Sequence, residues 1–355
     1  MRLPHDDAVS ADGRAWASAA TLEVRAAVRS ALDDLAAGDR ILVACSGGPD
    51  SLALAAAAQF VGARRGLDVG AVIVDHRLQD GSDAVAAAAG DACLAFGLDP
   101  IVIAAVDVEG DGGPEAAARR ARYDVLGAMA TRYEARALLL GHTRDDQAET
   151  VLLRLARGSG TRTLAAMQER GPLLRRPLLH LPRATVQASG VEVAAAVGMA
   201  PWLDPHNSDP AFTRVRVRTA MAVLEDALGP GLVTGLARSA QLAHDDADAL
   251  ERWADREFDA LVDFTPSGLE VDAETLALLP RAIRSRLMRR MCLDLGSAAD
   301  AVTFDHIRSL DALVGDWHGQ GPVSLPARVS ARRDYGRLIL TAPHLGPEAG
   351  DRIAP

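Results

Sequence analysis

Ile41-Leu42-Val43-Ala44-Cys45-Ser46-Gly47-Gly48-Pro49-Asp50-Ser51 is the stretch that decides the fold. Its first four residues are a short apolar run, as expected of a strand buried on both faces. The hexapeptide Ser46 to Ser51 then leads into a helical stretch from about Asp50 to Arg65. Two glycines let the backbone approach a ligand without Cβ clashes. A helix start adds unpaired N–H groups and the positive end of a dipole. With the hydroxyls of Ser46 and Ser51, this makes an anion cradle suited to pyrophosphate. Asp50 by itself repels phosphate, so its expected task is to hold Mg²⁺. Ser-Gly-Gly alone is also an ordinary glycine turn; the strand before it and the helix after it favour the anion site.

Around this loop, strands and helices alternate. A helix is expected over Thr21 to Ala37, and further strands over Asp68–Asp75, Pro100–Val106 and Ala137–Leu140. Helices are expected over Asp83–Phe96, Pro114–Tyr133 and Asp145–Arg157. This alternation predicts an α/β fold: a parallel sheet with helices on both faces. Beyond Gly160 the pattern changes. Arg183 to Val197 reads as a helix, and Pro201 to Pro210 as a proline-rich loop or linker. Phe212 to Val262 reads as long helices broken near Gly229-Pro230-Gly231, followed by helices over Ala273–Leu295 and Thr303–Val314. Short strands are expected over Val323–Leu325, Ala327–Arg332 and Arg337–Leu340. The expected domains are therefore a mobile arm (1–20), a catalytic domain (21–210), a mostly helical domain with a small β end (211–342) and a disordered tail (343–355).

A chain of 355 residues is long enough for about two domains, each with a real core. All 38 basic residues are arginine; the sequence contains no lysine. That excludes a Schiff-base lysine and a Walker A motif. Every cationic contact must come from arginine, with its planar fork for phosphate and carboxylate. Cys45, Cys93 and Cys292 include no Cys-x-x-Cys pair, which argues against a zinc ribbon, a local iron–sulfur motif and a disulfide scaffold. They are expected to be small buried residues in a reducing, cytoplasmic setting. No signal peptide and no apolar run near the ~18 residues of a membrane span is visible. The formal charge is −10, but arginines cluster at Arg214, Arg216 and Arg218, from Arg281 to Arg290, and at Arg332 and Arg333. Local basic patches are thus compatible with an acidic molecule.

A second constellation is Gly141-His142-Thr143-Arg144-Asp145-Asp146-Gln147-Ala148-Glu149-Thr150, at the end of the fourth strand. In open α/β sheets, ligands bind at the strands' C-terminal edge, which both this segment and the phosphate loop must share. Asp145, Asp146 and Glu149 lie close together on the first helical turns. They can bind a metal, capture an ammonium, accept a proton or simply complement the helix dipole.

Ser-Gly-Gly-x-Asp-Ser after the first strand resembles the PP-loop of the N-type ATP pyrophosphatases, an adenine nucleotide alpha hydrolase-like fold. Further strings narrow the resemblance: Val74-Asp75-His76-Arg77-Leu78; Glu115 with Arg119, Arg122 and Tyr123; Leu152 to Gly160; Arg176-Pro177-Leu178-Leu179; Asp204-Pro205-His206-Asn207; and Phe212-Thr213-Arg214 with Arg216 to Arg218. In this order they resemble the tRNA(Ile)-lysidine synthetase family over about residues 22 to 340. The resemblance implies an ATP-dependent ligase joining free L-lysine to C2 of the cytidine at the first anticodon position of a tRNA(Ile) with anticodon CAU. ATP adenylates the base, and the lysine ε-amine displaces AMP. The product pairs with A, so AUA is read in place of AUG and the tRNA identity changes from Met to Ile.

By the same resemblance, Ser46, Gly47, Gly48, Pro49 and Ser51 cradle ATP, and Asp50 contributes to Mg²⁺ binding. Asp146 and Glu149 orient the lysine ammonium, and one of them can take its proton. His142 stands where it can contact ATP or lysine. Arg119 and Arg214 offset charge on phosphate. Asp50→Ala and Glu149→Ala are expected to abolish transfer with the fold intact. A homodimer is left open, and no membrane partner is expected. Two positions depart from the family pattern: Val215 stands where asparagine is common, and His206 where serine often stands. The extra C-terminal domain of longer members is expected to be absent.

Alternatives are a tRNA thiolase of the same superfamily, which needs sulfur-handling cysteines, a small-molecule adenylating ligase, and a non-catalytic nucleotide-binding regulator. The arginines from Arg281 to Arg290 can position tRNA phosphate or form a solvated helical face.

Overall fold

The computed structural model describes residues 17–77, 79, 81–106, 114–158 and 160–343. Leu78, Ser159, the Glu115 side chain, the expected arm up to residue 16 and the expected tail from residue 344 lie outside the described residues. The chain divides into two units, Met1–His244 and Asp245–Pro355.

In the first unit, β1 (Arg40–Ala44), β2 (Asp68–Asp75), β3 (Ile101–Ala105), β4 (Ala137–Leu139) and β5 (Leu174–Arg175) form one parallel sheet in the order β3-β2-β1-β4-β5. The apolar run of β1 is buried on both faces, as its composition predicts. Ile41 and Val43 enter one core cluster, and Leu42 and Ala44 the other. That period of two is the pleat of a strand covered by helices on both sides. The helices are α1 (Ala19–Ala31), α2 (Pro49–Arg65), α3 (Ser82–Phe96), α4 (Pro114–Arg132), α5 (Arg144–Leu155), the short α6 (Thr161–Leu164), α7 (Arg183–Ala196) and α8 (Thr213–Leu228). The expected α/β architecture is found. β5 is an addition, with two residues too few for a periodic signal.

Of residues 17–20, expected in the mobile arm, Ser18 caps α1 and Ala19 and Ala20 are its first residues. The Thr21 amide donates to Ser18 Oγ at 3.2 Å, and the Ser18 amide donates to Glu192 Oε1 of α7 at 3.1 Å. The division between units falls within α9 (Leu232–Leu261) and not at the expected 210/211. α8 stays with the first unit because Arg218 bonds a buried carboxylate there.

The second unit has α10 (Ala273–Leu278), α11 (Arg281–Asp294) and α12 (Phe304–Gly315) over an antiparallel sheet. Its strands are β6 (Val262–Thr265), β7 (Gly268–Asp272), β8 (Val323–Ser324), β9 (Ser330–Asp334) and β10 (Arg337–Thr341), in the order β6-β7-β10-β9-β8. The sequence reading missed the hairpin of β6 and β7 and ran α10 and α11 together; Pro280, which cannot continue a helix, separates them. Leu287, Met288 and Met291 are fully buried core residues, as their stripe predicts. The arginines of α11 are neither free nor merely solvated. Arg281 and Arg284 pair with Asp311, Arg286 pairs with Glu251, and Arg290 pairs with Asp255 and Asp259. All three cysteines are buried and unbridged.

Candidate active site at the switch point of the sheet

The strand order reverses between β1 and β4, which pair in register from Ile41↔Ala137 to Val43↔Leu139. A crevice opens at the carboxyl ends of strands at such a point. The loops leaving β1 and β4 are the two motifs singled out by sequence. Gly141 brings them together: a Cβ there would stand 3.3 Å from the Asp50 carbonyl oxygen.

The β1 loop turns through Gly47 at φ 78°, a left-handed conformation that favours glycine. The Trp202 amide donates to the Gly47 carbonyl at 2.9 Å and pins the turn. Gly48 is the N-cap of α2, and Pro49 opens its first turn. The two serines differ. Ser46 is exposed at the cradle, whereas Ser51 is buried and turned inward. Ser51 Oγ donates to the Gly48 carbonyl at 2.9 Å and accepts from the Ser46 amide at 3.1 Å. Ser51 thus braces the loop from within.

Asp50 projects from the first turn of α2. Burial, then the carboxylates of Asp146 and Asp145, push its pKa up to about 6 against the partial relief of Arg183 and Arg218. Its Oδ1 is buried with no hydrogen-bond partner.

Across the crevice, α5 presents its acids, but they are not free. Asp146 Oδ2 accepts from the Thr143 amide (2.8 Å) and hydroxyl (2.7 Å), closing the helix N-terminus. Asp146 Oδ1 accepts from Arg183 Nη2 at 2.9 Å. Burial works to raise its pKa, but Arg183 and the Thr143 donors outweigh it and hold the carboxyl below its ordinary value. Asp145 Oδ2 accepts from the Arg183 amide at 2.8 Å, capping α7. Glu149 is 2% exposed. Its Oε1 accepts from Arg183 Nη2 at 2.9 Å and Arg218 Nε at 3.0 Å, while its Oε2 is buried and unpartnered.

His142 is neutral at physiological pH. Burial depresses it to about 3, helped by the charges of Arg176, Arg122 and Arg119 and opposed by Asp146. Its Nδ1 is buried without a partner. Arg119 Nη2 donates to the Tyr123 hydroxyl at 3.3 Å. Burial lowers the Arg122 pKa, and the nearby charges of Arg119 and Arg214 lower it further. Arg119 and Arg122 also act on His142, so positive charge reaches that side of the crevice, as an anion site requires.

The structure thus brings together Asp50, Asp146 and Glu149, with His142 beside Asp146. Sequence reasoning missed Arg183, which was only the start of a helix, and gave Arg218 no partner. No local pattern announces them, because their carboxylate partners lie 34 and 69 residues away in sequence. His206, a departure from the family pattern, has a local role: Gln79 Nε2 lies 2.7 Å from its Nδ1, and its amide donates to Asp204 Oδ1 at 2.9 Å.

A PP-loop domain profile matches residues 21–224, and a TilS substrate binding domain profile matches residues 272–339. A tRNA(Ile)-lysidine synthase from Thermobifida fusca is 54% identical over 320 residues, covering 90% of this chain and 97% of that one. The chain belongs to the tRNA(Ile)-lysidine synthase family. A second family member, the tRNA(Ile)-lysidine synthase from Streptomyces coelicolor, is 50% identical and covers 84% of each chain. Membership makes the protein an ATP-using ligase whose PP-loop domain includes the β1 loop. A solved U34-tRNA thiolase from Methanococcus maripaludis superposes with a TM-score of 0.53 at 20% identity, covering 66% of this chain and 83% of that one. That likeness concerns the fold alone. The thiolase alternative is not favoured against lysidine synthase family relatives at about half identity over most of the chain.

Proposed function

We propose that this chain uses ATP to join free L-lysine to C2 of the cytidine at the first anticodon position of a tRNA(Ile) with anticodon CAU. The observation that carries this reading is the meeting of the phosphate loop and the β4–α5 acids across the switch point, with Gly141 against the Asp50 backbone. Family membership supplies the reaction class.

In the first half-reaction, the oxygen on C2 attacks the α-phosphorus of ATP and pyrophosphate leaves. The N-terminal amides of α2 and the exposed Ser46 receive phosphate oxygens. The guanidiniums of Arg119 and Arg214 offset the charge that builds up on them. Asp50 suits Mg²⁺, since its buried, unpartnered Oδ1 is an acceptor that a hard cation satisfies. When bound there, the ion supplies charge neutralisation on the polyphosphate.

In the second half-reaction, the lysine ε-amine forms a bond to C2, the C2–O bond breaks and AMP departs with that oxygen. Only the neutral amine is nucleophilic, so it must first lose a proton. The buried, unpartnered Glu149 Oε2 is the acceptor that suits this ammonium. Asp146, whose oxygens are engaged by Thr143 and Arg183, acts by fixing the start of α5. Neutral His142 can contact ATP or lysine without adding charge.

The proposal places the protein in the cytoplasm, where its tRNA substrate is found. Sedimentation of the full chain separates a monomer from a homodimer. The deciding assay supplies radiolabelled lysine, ATP, Mg²⁺ and unmodified tRNA(Ile) bearing CAU. Label in tRNA supports the reading; no transfer by folded protein that consumes ATP on another substrate overturns it.

A further inference from the structure

Arg183 is the residue that the expected machinery does not include. It opens α7 after Pro182. Its backbone amide holds Asp145, and a single side-chain nitrogen, Nη2, donates to both Asp146 Oδ1 and Glu149 Oε1 at 2.9 Å. One residue therefore touches all three carboxylates at the start of α5. Its side chain is 15% exposed, and that of Glu149 is 2% exposed.

The position of Arg183 is set from the middle of its helix. Gly190 of α7 lies so close to Pro49 that a Cβ would stand 2.1 Å from the Pro49 carbonyl oxygen. Ser189 Oγ is 2.9 Å from Thr21 Oγ1 of α1. Helix α7 thus spans from the phosphate loop to the acids and carries Arg183 in a fixed place.

Asp50, Asp145, Asp146 and Glu149 bring four carboxylates to this crevice, and Arg183 and Arg218 face them. These carboxylates exceed the two guanidiniums that face them by two, the charges of Arg119 and Arg122 acting on the His142 side. Without Arg183 the excess is three. A more negative pocket binds an ammonium more tightly but also holds its proton more tightly, and an amine kept as ammonium cannot attack.

We propose that Arg183 is a positioning residue for amine transfer: it fixes Glu149 with Oε2 free and limits the pocket's grip on the lysine ammonium. This rests on the lysine-transfer reading. Arg183 touches carboxylates and not the reacting atoms, so its removal slows the step in which the amine gives up its proton and attacks.

The test is Arg183→Met in the full chain, with lysine transfer and lysine-independent, tRNA-dependent pyrophosphate release measured separately. Expected are a fall in kcat for transfer of about tenfold or more, a lysine KM unchanged or lowered, and pyrophosphate release retained. Arg183→Lys, which keeps a cation, recovers part of kcat. A raised lysine KM with unchanged kcat, an equal fall in both half-reactions, or wild-type kinetics overturns the proposal. If circular dichroism shows Arg183→Met unfolded, Arg183→Gln, which keeps a donor and loses the charge, takes its place. Lowered kcat without raised KM then supports the proposal, and any other outcome, including a second unfolded variant, overturns it in favour of a structural role. If the wild type consumes ATP with tRNA but transfers no lysine, the lysine reading itself fails, and the proposal falls with it.

Discussion

Gly190 on α7 and Pro49 at the start of α2 approach so closely that a methyl group on Gly190 would stand 2.1 Å from the Pro49 carbonyl oxygen. A helix-interior glycine costs about 1 kcal/mol relative to alanine, so this position gives up helix stability for contact. The contact seats the phosphate loop on the helix that carries Arg183.

Gly190→Ala is therefore expected to destabilise the protein despite its better helix propensity. Overpacking costs about 1–3 kcal/mol, and here the blocked neighbour is backbone. Thermal melting should show a lowered Tm, and ATP titration should show weaker binding as the loop is displaced. An unchanged or raised Tm would contradict the packing.

Asp50 links function to a stability cost. Its carboxyl is raised from 3.8 to about 6, chiefly by burial. The folded state thus holds the proton more tightly than the unfolded state, so the stabilisation by protonation is complete below about pH 3.8 and is lost as pH rises through about 6. Asp50→Asn should raise Tm at pH 7 by the equivalent of roughly 2–3 kcal/mol, at about 1.4 kcal/mol per pKa unit. The gain should vanish near pH 3.5. Activity should be lost throughout, and wild-type activity should fall as pH drops below about 6. Paired melting curves across pH check the first part, and a pH–rate profile the second.

Glu149 is expected to matter for the fold as well as for chemistry. Glu149→Ala leaves Arg183 and Arg218 without their shared acceptor, Oε1. Removing one partner of a buried ion pair costs about 3–5 kcal/mol; the partial exposure of Arg218 places this case at the lower end. Urea denaturation should show a large loss for Glu149→Ala and a smaller one for Glu149→Gln, with transfer abolished in both. The burial of Glu149 and its two guanidinium partners give it a structural stake that the sequence alone does not show.

In the second unit, Asp311 of α12 accepts the guanidiniums of both Arg281 and Arg284 of α11. Asp311→Ala should cost about 2 kcal/mol. The loss should appear as a lowered urea midpoint for that unit. An unchanged midpoint would mean that these pairs are surface contacts of little worth.

The sheet and the phosphate loop are legible in the sequence because their causes are local. Ile41 to Ala44 is apolar on both faces, and the turn at Gly47 needs glycine where it stands. The ten-residue segment after β4 is legible for the same reason, because residues three and four apart on a helix share a face. The β6–β7 hairpin was missed although Val262 to Thr265 and Gly268 to Asp272 alternate around Pro266-Ser267. Its strands follow directly on a 30-residue helix, whose period dominates the reading.

Residue types, element order and the chemistry on offer thus follow from the chain read residue by residue. The state of that chemistry does not. Asp146 and Glu149 are both acids in the sequence. Folding commits both oxygens of Asp146 and leaves Glu149 Oε2 unpartnered, because Arg183 and Arg218 arrive from α7 and α8. A carboxylate's role depends on which charges surround it in a low-dielectric crevice. Charges brought from distant parts of the chain are set by packing, such as Gly190 against Pro49, which no local pattern encodes.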